Sequence, residues 1–157
     1  MDDVTALALS IERVVAGPVW HGPALSDLLA DVPAADAAAR PIEGAHSIWE
    51  IVHHIAAWVT IVESRLGGVP TPEPTDGEDW PPVQRSTAAA WAEARSRLAS
   101  SHQSLASAVR RVDAARLDEI VPARNYSVGT MLHGVVEHGA YHGGQIALLT
   151  RSKQGRP

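Results

Sequence analysis

Residues 137–146 read Glu137-His138-Gly139-Ala140-Tyr141-His142-Gly143-Gly144-Gln145-Ile146. The stretch places His138 and His142 four residues apart. In an α-helix, 3.6 residues per turn brings such a pair to one face, one turn apart. Two imidazoles in that arrangement can hold one transition-metal ion from the same side. The same spacing also fits two polar residues on a half-exposed face, so a metal site needs a third ligand from elsewhere.

A candidate third ligand is the pair His53-His54, which lies in another helical stretch. Glu50, His54 and Trp58 fall on one helical line, whereas His53 points about 100° away and is the competitor. A buried histidine with a hydrogen-bond partner is the alternative interpretation of His54. Two ligands from one helix and one from a neighbour would leave metal positions open to water or substrate. An open position distinguishes catalytic from structural sites.

Composition limits the kind of protein. The chain has 157 residues, which predicts a single domain over 1–157. It has no cysteine, so disulfides and thiolate nucleophiles are excluded, and any metal must be held by His, Asp or Glu. The formal net charge of −5, without a Lys/Arg cluster, argues against a nucleic-acid partner. No apolar run reaches the roughly 18 residues of a membrane span, and the acidic start at Met1-Asp2-Asp3 is unlike a signal peptide. We therefore expect a soluble, cytoplasmic protein with no membrane partner.

Apolar periodicity predicts four long helices, and the stretches between them contain most of the prolines. The segment from 20 to 41 is irregular, with a short helical piece around 24–30, and 69–82 is a loop. Ser47 with Glu50 has the form of a capping box, and Ser127 is a candidate N-cap. These patterns predict an all-α protein, a four-helix bundle with a long first crossover. Its long helices are expected at 3–16, 47–66, 84–112 and 128–151.

The remaining histidines carry weaker signals. His133 lies about 140° round the helix from His138 and is not expected to share its metal. His21 and His46 lie in the crossover, where each could line a pocket mouth or stay on the surface. His102 is expected to be exposed on the third helix.

Three motifs occur in an order that resembles the DinB-like (DinB/YfiT-like) superfamily of four-helix metal-binding proteins. The motifs are Ser47-Ile48-Trp49-Glu50-Ile51-Val52-His53-His54-Ile55-Ala56-Ala57-Trp58, then Arg65-Leu66-Gly67-Gly68, then Leu132-His133-Gly134-Val135-Val136-Glu137-His138-Gly139-Ala140-Tyr141-His142-Gly143-Gly144-Gln145-Ile146. The resemblance spans the chain in order and length. Gly139 and Gly143 are mild departures, because the family more often has larger or polar residues there.

The resemblance implies a divalent metal ion, zinc or nickel, bound by His54, His138 and His142, and it implies a homodimer. Some relatives are S-transferases that use bacillithiol, mycothiol or glutathione, and others are mycothiol-dependent isomerases. A shared fold does not fix a shared function.

The function that we expect is a metal-dependent reaction on a small-molecule substrate. A bound metal would lower the pKa of a thiol or of water. Because the chain has no cysteine, the thiol would be a low-molecular-weight cofactor that is transferred to an electrophile, with metal-dependent hydrolysis as the alternative. Tyr141, Glu137 and Glu50 are the candidates for orienting groups or moving protons. The non-enzymatic alternatives are a stress-related module that binds a metal or small ligand, and a dimerisation protein whose histidines are only packed.

Overall fold

The computed structural model describes residues 2–154 of the chain, without the side chains of residues 153 and 154. These residues form seven α-helices and one 3₁₀ helix, and no β-strand occurs among them. The four long helices are α1 (Asp3–Ala16), α4 (Ile48–Leu66), α6 (Ala88–Val109) and α7 (Val128–Gln154). The short ones are α2 (Leu25–Leu29), α3 (Ala34–Ala38), α5 (Asp76–Asp79) and the 3₁₀ helix Ala114–Asp118.

The long helices pack as a bundle. Helices α1 and α4 each pack against both α6 and α7, and the first crossover carries α2 and α3 along the sides of the bundle. One continuous apolar core joins the four helices, and its largest fully buried side chains include Trp49, Ile11, Leu105 and Ile146. The predicted all-α fold is therefore confirmed.

Side-chain caps set where the long helices begin. The Ser47 hydroxyl accepts a hydrogen bond from the Glu50 amide, and the Glu50 carboxylate accepts one from the Ser47 amide, which confirms the capping box. Ser127 caps α7 by accepting from the Thr130 amide at 3.2 Å, as predicted. The predicted bounds 84–112 are wrong at both ends of α6. The Thr87 hydroxyl accepts from the amide three residues later and starts the helix there, and a turn ends it after Val109.

Two further expectations need correction. The predicted loop 69–82 contains the short helix α5, where the Glu78 carboxylate accepts hydrogen bonds from the amide and the hydroxyl of Thr75. The fourth helix runs on to Gln154, past the predicted end at 151. None of the helices in the described part of the chain is both long enough and apolar enough to cross a membrane.

Gly139 lies where α7 approaches α1 closely. A β-carbon built on Gly139 would lie 2.7 Å from Cγ1 of Val14, a side chain that is itself buried in the core. Gly144 lies about one and a half turns further along and is exposed. A β-carbon at Gly144 would have no heavy atom within 4 Å. Close helix packing, rather than space for a ligand, therefore explains the glycine at 139.

We expect Gly139→Ala to destabilise the protein by about 1–3 kcal/mol, because the added methyl group overpacks a short, buried valine. The matched change Gly144→Ala should stabilise it by about 0.5–1 kcal/mol, because alanine loses less backbone entropy in a helix than glycine. Urea unfolding followed by circular dichroism measures both values. Equal effects of the two substitutions would contradict the assigned contact with Val14.

Candidate metal centre

Three histidines from two facing helices converge at one point. His54 lies on α4, and His138 and His142 lie one turn apart on α7. The Nε2 atom of His138 is 3.0 Å from Nε2 of His54 and 3.1 Å from Nε2 of His142. The candidate ligand nitrogens of all three lie within 4.8 Å of one another. His54 and His142 are buried and His138 is half-buried, so the group is largely shielded from solvent.

The outer ring nitrogens are held by neighbours, which fixes the direction of the inner ones. Nδ1 of His54 donates to the backbone carbonyl of Asp79 at 2.7 Å and lies 3.1 Å from its carboxylate. Nδ1 of His142 donates to the side-chain carbonyl of Gln145 at 2.6 Å. In a neutral imidazole, a proton on Nδ1 leaves a lone pair on Nε2. The lone pairs of His54 and His142 therefore point toward His138.

This donor set fits a transition-metal ion. An imidazole nitrogen binds zinc at about 2.0–2.1 Å, so two ligand nitrogens of one ion lie at most about 4.2 Å apart. The separations of 3.0 and 3.1 Å from His138 meet this limit. With the protons of His54 and His142 on Nδ1, at most one of the three Nε2 atoms carries a proton, so at least two lone pairs face this point and are available to a cation. Imidazole suits zinc, copper, iron and nickel ions.

The surroundings of His138 and His142 keep these two imidazoles uncharged. Burial, with added repulsion from His142 and His54, lowers the pKa of His138 to about 3. Burial also lowers the pKa of His142, against the hydrogen bond to Gln145, which raises it. At neutral pH both side chains are therefore neutral, and the neutral form is the one that binds a metal ion.

Residues 76–82, which we call the covering segment, close one side of the cluster. The indole of Trp80 lies between two imidazoles, with its ring 3.9 Å from that of His54 and 3.6 Å from that of His46, both nearly parallel. The Asp79 carboxylate also accepts a hydrogen bond from Nε1 of Trp58 at 2.6 Å. Asp79 thus contacts both the ring of His54 and the indole of Trp58.

The ring nitrogens of His53 and His54 have different hydrogen-bond partners. Nε2 of His53 accepts from the indole N–H of Trp49 at 2.9 Å, and its Nδ1 donates to the carbonyl of Pro81 at 3.2 Å. Both ring nitrogens are used, so His53 has none left for a metal ion. The structure therefore places His54, and not its competitor His53, with His138 and His142.

The other histidines lie outside the cluster. His133 is exposed, His21 is exposed in the crossover, and His46 stacks on Trp80. The expectation that His102 is exposed is wrong, because only 1% of its surface is accessible. It continues the inner stripe of α6 between Leu98 and Leu105, and its Nδ1 donates to the Leu98 carbonyl at 2.8 Å. Burial lowers the pKa of His102.

The three candidates for moving protons are placed differently. Tyr141 is 66% exposed at the rim of the site, with its ring 5.0 Å from that of His142. Glu137 is exposed and does not line the cavity. Glu50 is engaged by the Ser47 cap and by an ion pair with Arg40.

The cluster forms one wall of a cavity of about 840 Å³ between α4 and α7. Most of the wall is apolar, and it includes Ile51, Val59, Val62, Met131, Val135 and Leu149. The exposed side chains Ile42, Tyr141 and Leu148 surround the opening. Two polar residues, Arg65 and Tyr126, also line the cavity away from the histidines, and the Arg65 guanidinium donates to the Tyr126 hydroxyl.

Sequence reasoning missed Asp79, Trp80 and the Arg65–Tyr126 pair as parts of the site. Asp79 and Trp80 lie in a segment that was predicted as a loop bordering the substrate mouth, without a ligand role, and they meet α4 through contacts 21 and more residues apart in sequence. No periodicity marks such contacts. The one available signal was an acidic and an aromatic residue side by side in a proline-rich stretch.

The fold and the cluster define an all-α protein with a three-histidine group that could hold a metal ion. The DinB superfamily matches residues 19–146. Since this range covers most of the 157 residues, the chain belongs to the DinB superfamily. No curated protein and no solved structure gives a significant match.

Proposed function

We propose that this protein binds one divalent transition-metal ion, zinc or nickel, through Nε2 of His54, His138 and His142. The observation that carries the proposal is the convergence of three imidazoles at the wall of an apolar cavity. Two of them are oriented by hydrogen bonds to Asp79 and Gln145. Such partners fix the tautomer and ring angle of metal-binding histidines.

We further propose that the protein is an enzyme that transfers a low-molecular-weight thiol to a small electrophile, and that it acts as a homodimer. When bound, the metal supplies a Lewis acid that lowers the pKa of a thiol or of water. In the transfer, the thiol sulfur forms a bond to an electrophilic carbon, the leaving group departs with its electron pair, and the thiol proton is released. The chain itself contributes no sulfur nucleophile, since it has no cysteine.

The residues of the chain contribute binding and orientation. The apolar wall excludes water and favours an uncharged or weakly hydrated substrate body. Of the three candidates for moving protons, Tyr141 lines the cavity, whereas Glu137 is exposed outside it and Glu50 is engaged by the Ser47 cap and Arg40. We therefore propose the Tyr141 hydroxyl as the group that orients the substrate at the opening.

Transfer and hydrolysis are separated by one assay. Zinc-loaded and nickel-loaded protein is mixed with bacillithiol, mycothiol or glutathione and a chloronitrobenzene electrophile, and thioether and phenol products are both quantified. The proposal expects a thioether with at least one thiol, lost in the His138→Ala, His142→Ala double variant. Formation of the phenol without the thioether would show that the protein is a hydrolase and not a thiol transferase. No product, with metal still bound, would leave a non-enzymatic metal-binding module.

The contribution of Asp79 can be tested on metal affinity alone. We expect Asp79→Ala to weaken metal binding about tenfold, because it removes the carboxylate that contacts the rings of His54 and Trp58 while the backbone carbonyl remains. Asp76→Ala removes an exposed carboxylate from the same short helix and is the matched control. Competition with a chromophoric chelator gives both affinities. Equal affinities would remove Asp79 from the site.

A further inference from the structure

The end of the cavity that holds Arg65 is basic and buried. Only 4% of the Arg65 side chain is accessible, and its guanidinium lies 5.8 Å from the ring of Trp58. The ring of Trp58 is in turn 6.3 Å from that of His138. The guanidinium and the histidine cluster are therefore at most about 12 Å apart, and both line the same cavity.

One carboxylate serves two guanidinium groups at this end, while Asp79, the acidic residue that lines the cavity, is engaged by Trp58 and His54. Arg65 and Arg124 both pair with Glu73, at 3.6 and 3.2 Å, so two guanidinium groups share one carboxylate. Glu73 is itself 65% exposed, and water screens much of its charge. A buried charge without full compensation favours the binding of an ion of opposite sign.

A hydrogen-bond donor is available beside this charge. Nη1 of Arg65 donates to the Tyr126 hydroxyl at 2.9 Å, and among the described residues the hydroxyl hydrogen has no acceptor. A phenol that accepts from a guanidinium becomes a stronger donor. Both residues line the cavity, so the guanidinium and the hydroxyl can bind the same functional group of a ligand.

We propose that the small-molecule ligand of this cavity is an aliphatic or aromatic carboxylate. Its carboxylate binds to Arg65 and to the Tyr126 hydroxyl, its apolar body lies against the side chains of α4 and α7, and its other end reaches the three histidines. The position of the far end rests on the proposed metal-dependent function. The carboxylate position does not, because it depends only on Arg65, Tyr126 and the apolar wall.

Arg65 also ties down residues 71–73, since its Nε donates to the Thr71 hydroxyl at 3.1 Å. A purely structural arginine would therefore be an alternative. The two substitutions Arg65→Gln and Tyr126→Phe separate these functions. The first removes the charge, whereas the second leaves the contacts of Arg65 with Thr71 and Glu73 in place and removes only the hydroxyl. Arg116→Gln is the control, because Arg116 bonds to the Leu66 carbonyl nearby but does not line the cavity.

The test is calorimetric titration of octanoate and of octanamide, which have the same apolar body but differ in charge. Both are titrated into the protein as purified, into chelator-treated protein and into the His138→Ala, His142→Ala variant. We expect octanoate to bind about tenfold more tightly than octanamide in all three, because a hydrogen bond to a charged group is stronger than one to a neutral group. Arg65→Gln should abolish this preference, Tyr126→Phe should reduce it several-fold, and Arg116→Gln should leave it unchanged.

Equal binding of the two probes by the wild-type protein, or no binding of either, would overturn the proposal. A preference that survives Tyr126→Phe in full would also overturn it, even if Arg65→Gln does not fold. If the double histidine variant loses its metal but keeps the octanoate preference, the carboxylate site stands on its own. If the preference is absent while metal binds, this inference fails and the proposed metal site does not.

Discussion

The double variant His138→Ala, His142→Ala should lose its metal ion. We expect the wild-type protein to carry about one divalent ion per chain, and the variant less than about a tenth of that, because a single remaining imidazole is too weak a ligand to retain it. Mass spectrometry of the metal content of untagged protein measures the difference. Urea unfolding with and without added metal gives a second measurement, because an ion that binds only the folded state stabilises it.

The adjacent pair His53 and His54 provides a matched control. His54→Ala should behave like the double variant, whereas His53→Ala should still carry about one ion per chain, because both nitrogens of His53 are occupied by Trp49 and Pro81; the lost bond to Pro81 should lower its metal affinity only modestly. Metal retained in His54→Ala, or lost in His53→Ala, would contradict the assignment. A wild-type protein without metal after incubation with zinc and nickel would favour the hypothesis of packed histidines.

The long helices could be predicted because their signals are local. The Ser47–Glu50 capping box and the Ser127 cap lie within four residues of the positions that they define, and the apolar stripes repeat every turn. The error at α6 has the same origin. The three residues before Thr87 carry no strong helix breaker, so only the cap decides where the helix starts.

The candidate site could be predicted only where its residues share a helix. His138 and His142 follow from the spacing of one turn, and the family resemblance selected His54. Asp79 and Arg65 act through contacts with distant parts of the chain, for which a single sequence contains no pattern. His102 was misplaced because a polar residue on a mostly polar helix was assumed to face solvent, although it continues the stripe of Leu98 and Leu105.

The substitution with the largest expected effect on stability is Trp49→Ala. Trp49 is 1% exposed, and its ring packs 5.0 Å from that of Trp91 in the core between α4 and α6. Removing a buried aromatic side chain typically costs about 3–5 kcal/mol, because the cavity collapses only in part. Urea unfolding followed by far-ultraviolet circular dichroism measures the loss of unfolding free energy. A loss below about 1 kcal/mol would contradict the buried packing.

Trp49→Phe separates the packing of this residue from its hydrogen bond. The indole N–H donates to His53, and His53 donates to the carbonyl of Pro81 in the covering segment, two residues beyond Asp79. Phenylalanine keeps most of the buried area but leaves Nε2 of His53 without a donor, so we expect a loss of about 1–3 kcal/mol. Because the same chain of bonds anchors the segment that orients His54, the proposed metal affinity should fall as well, by less than in Asp79→Ala. A stability loss with unchanged metal affinity would show that the bond from His53 to Pro81 does not position Asp79.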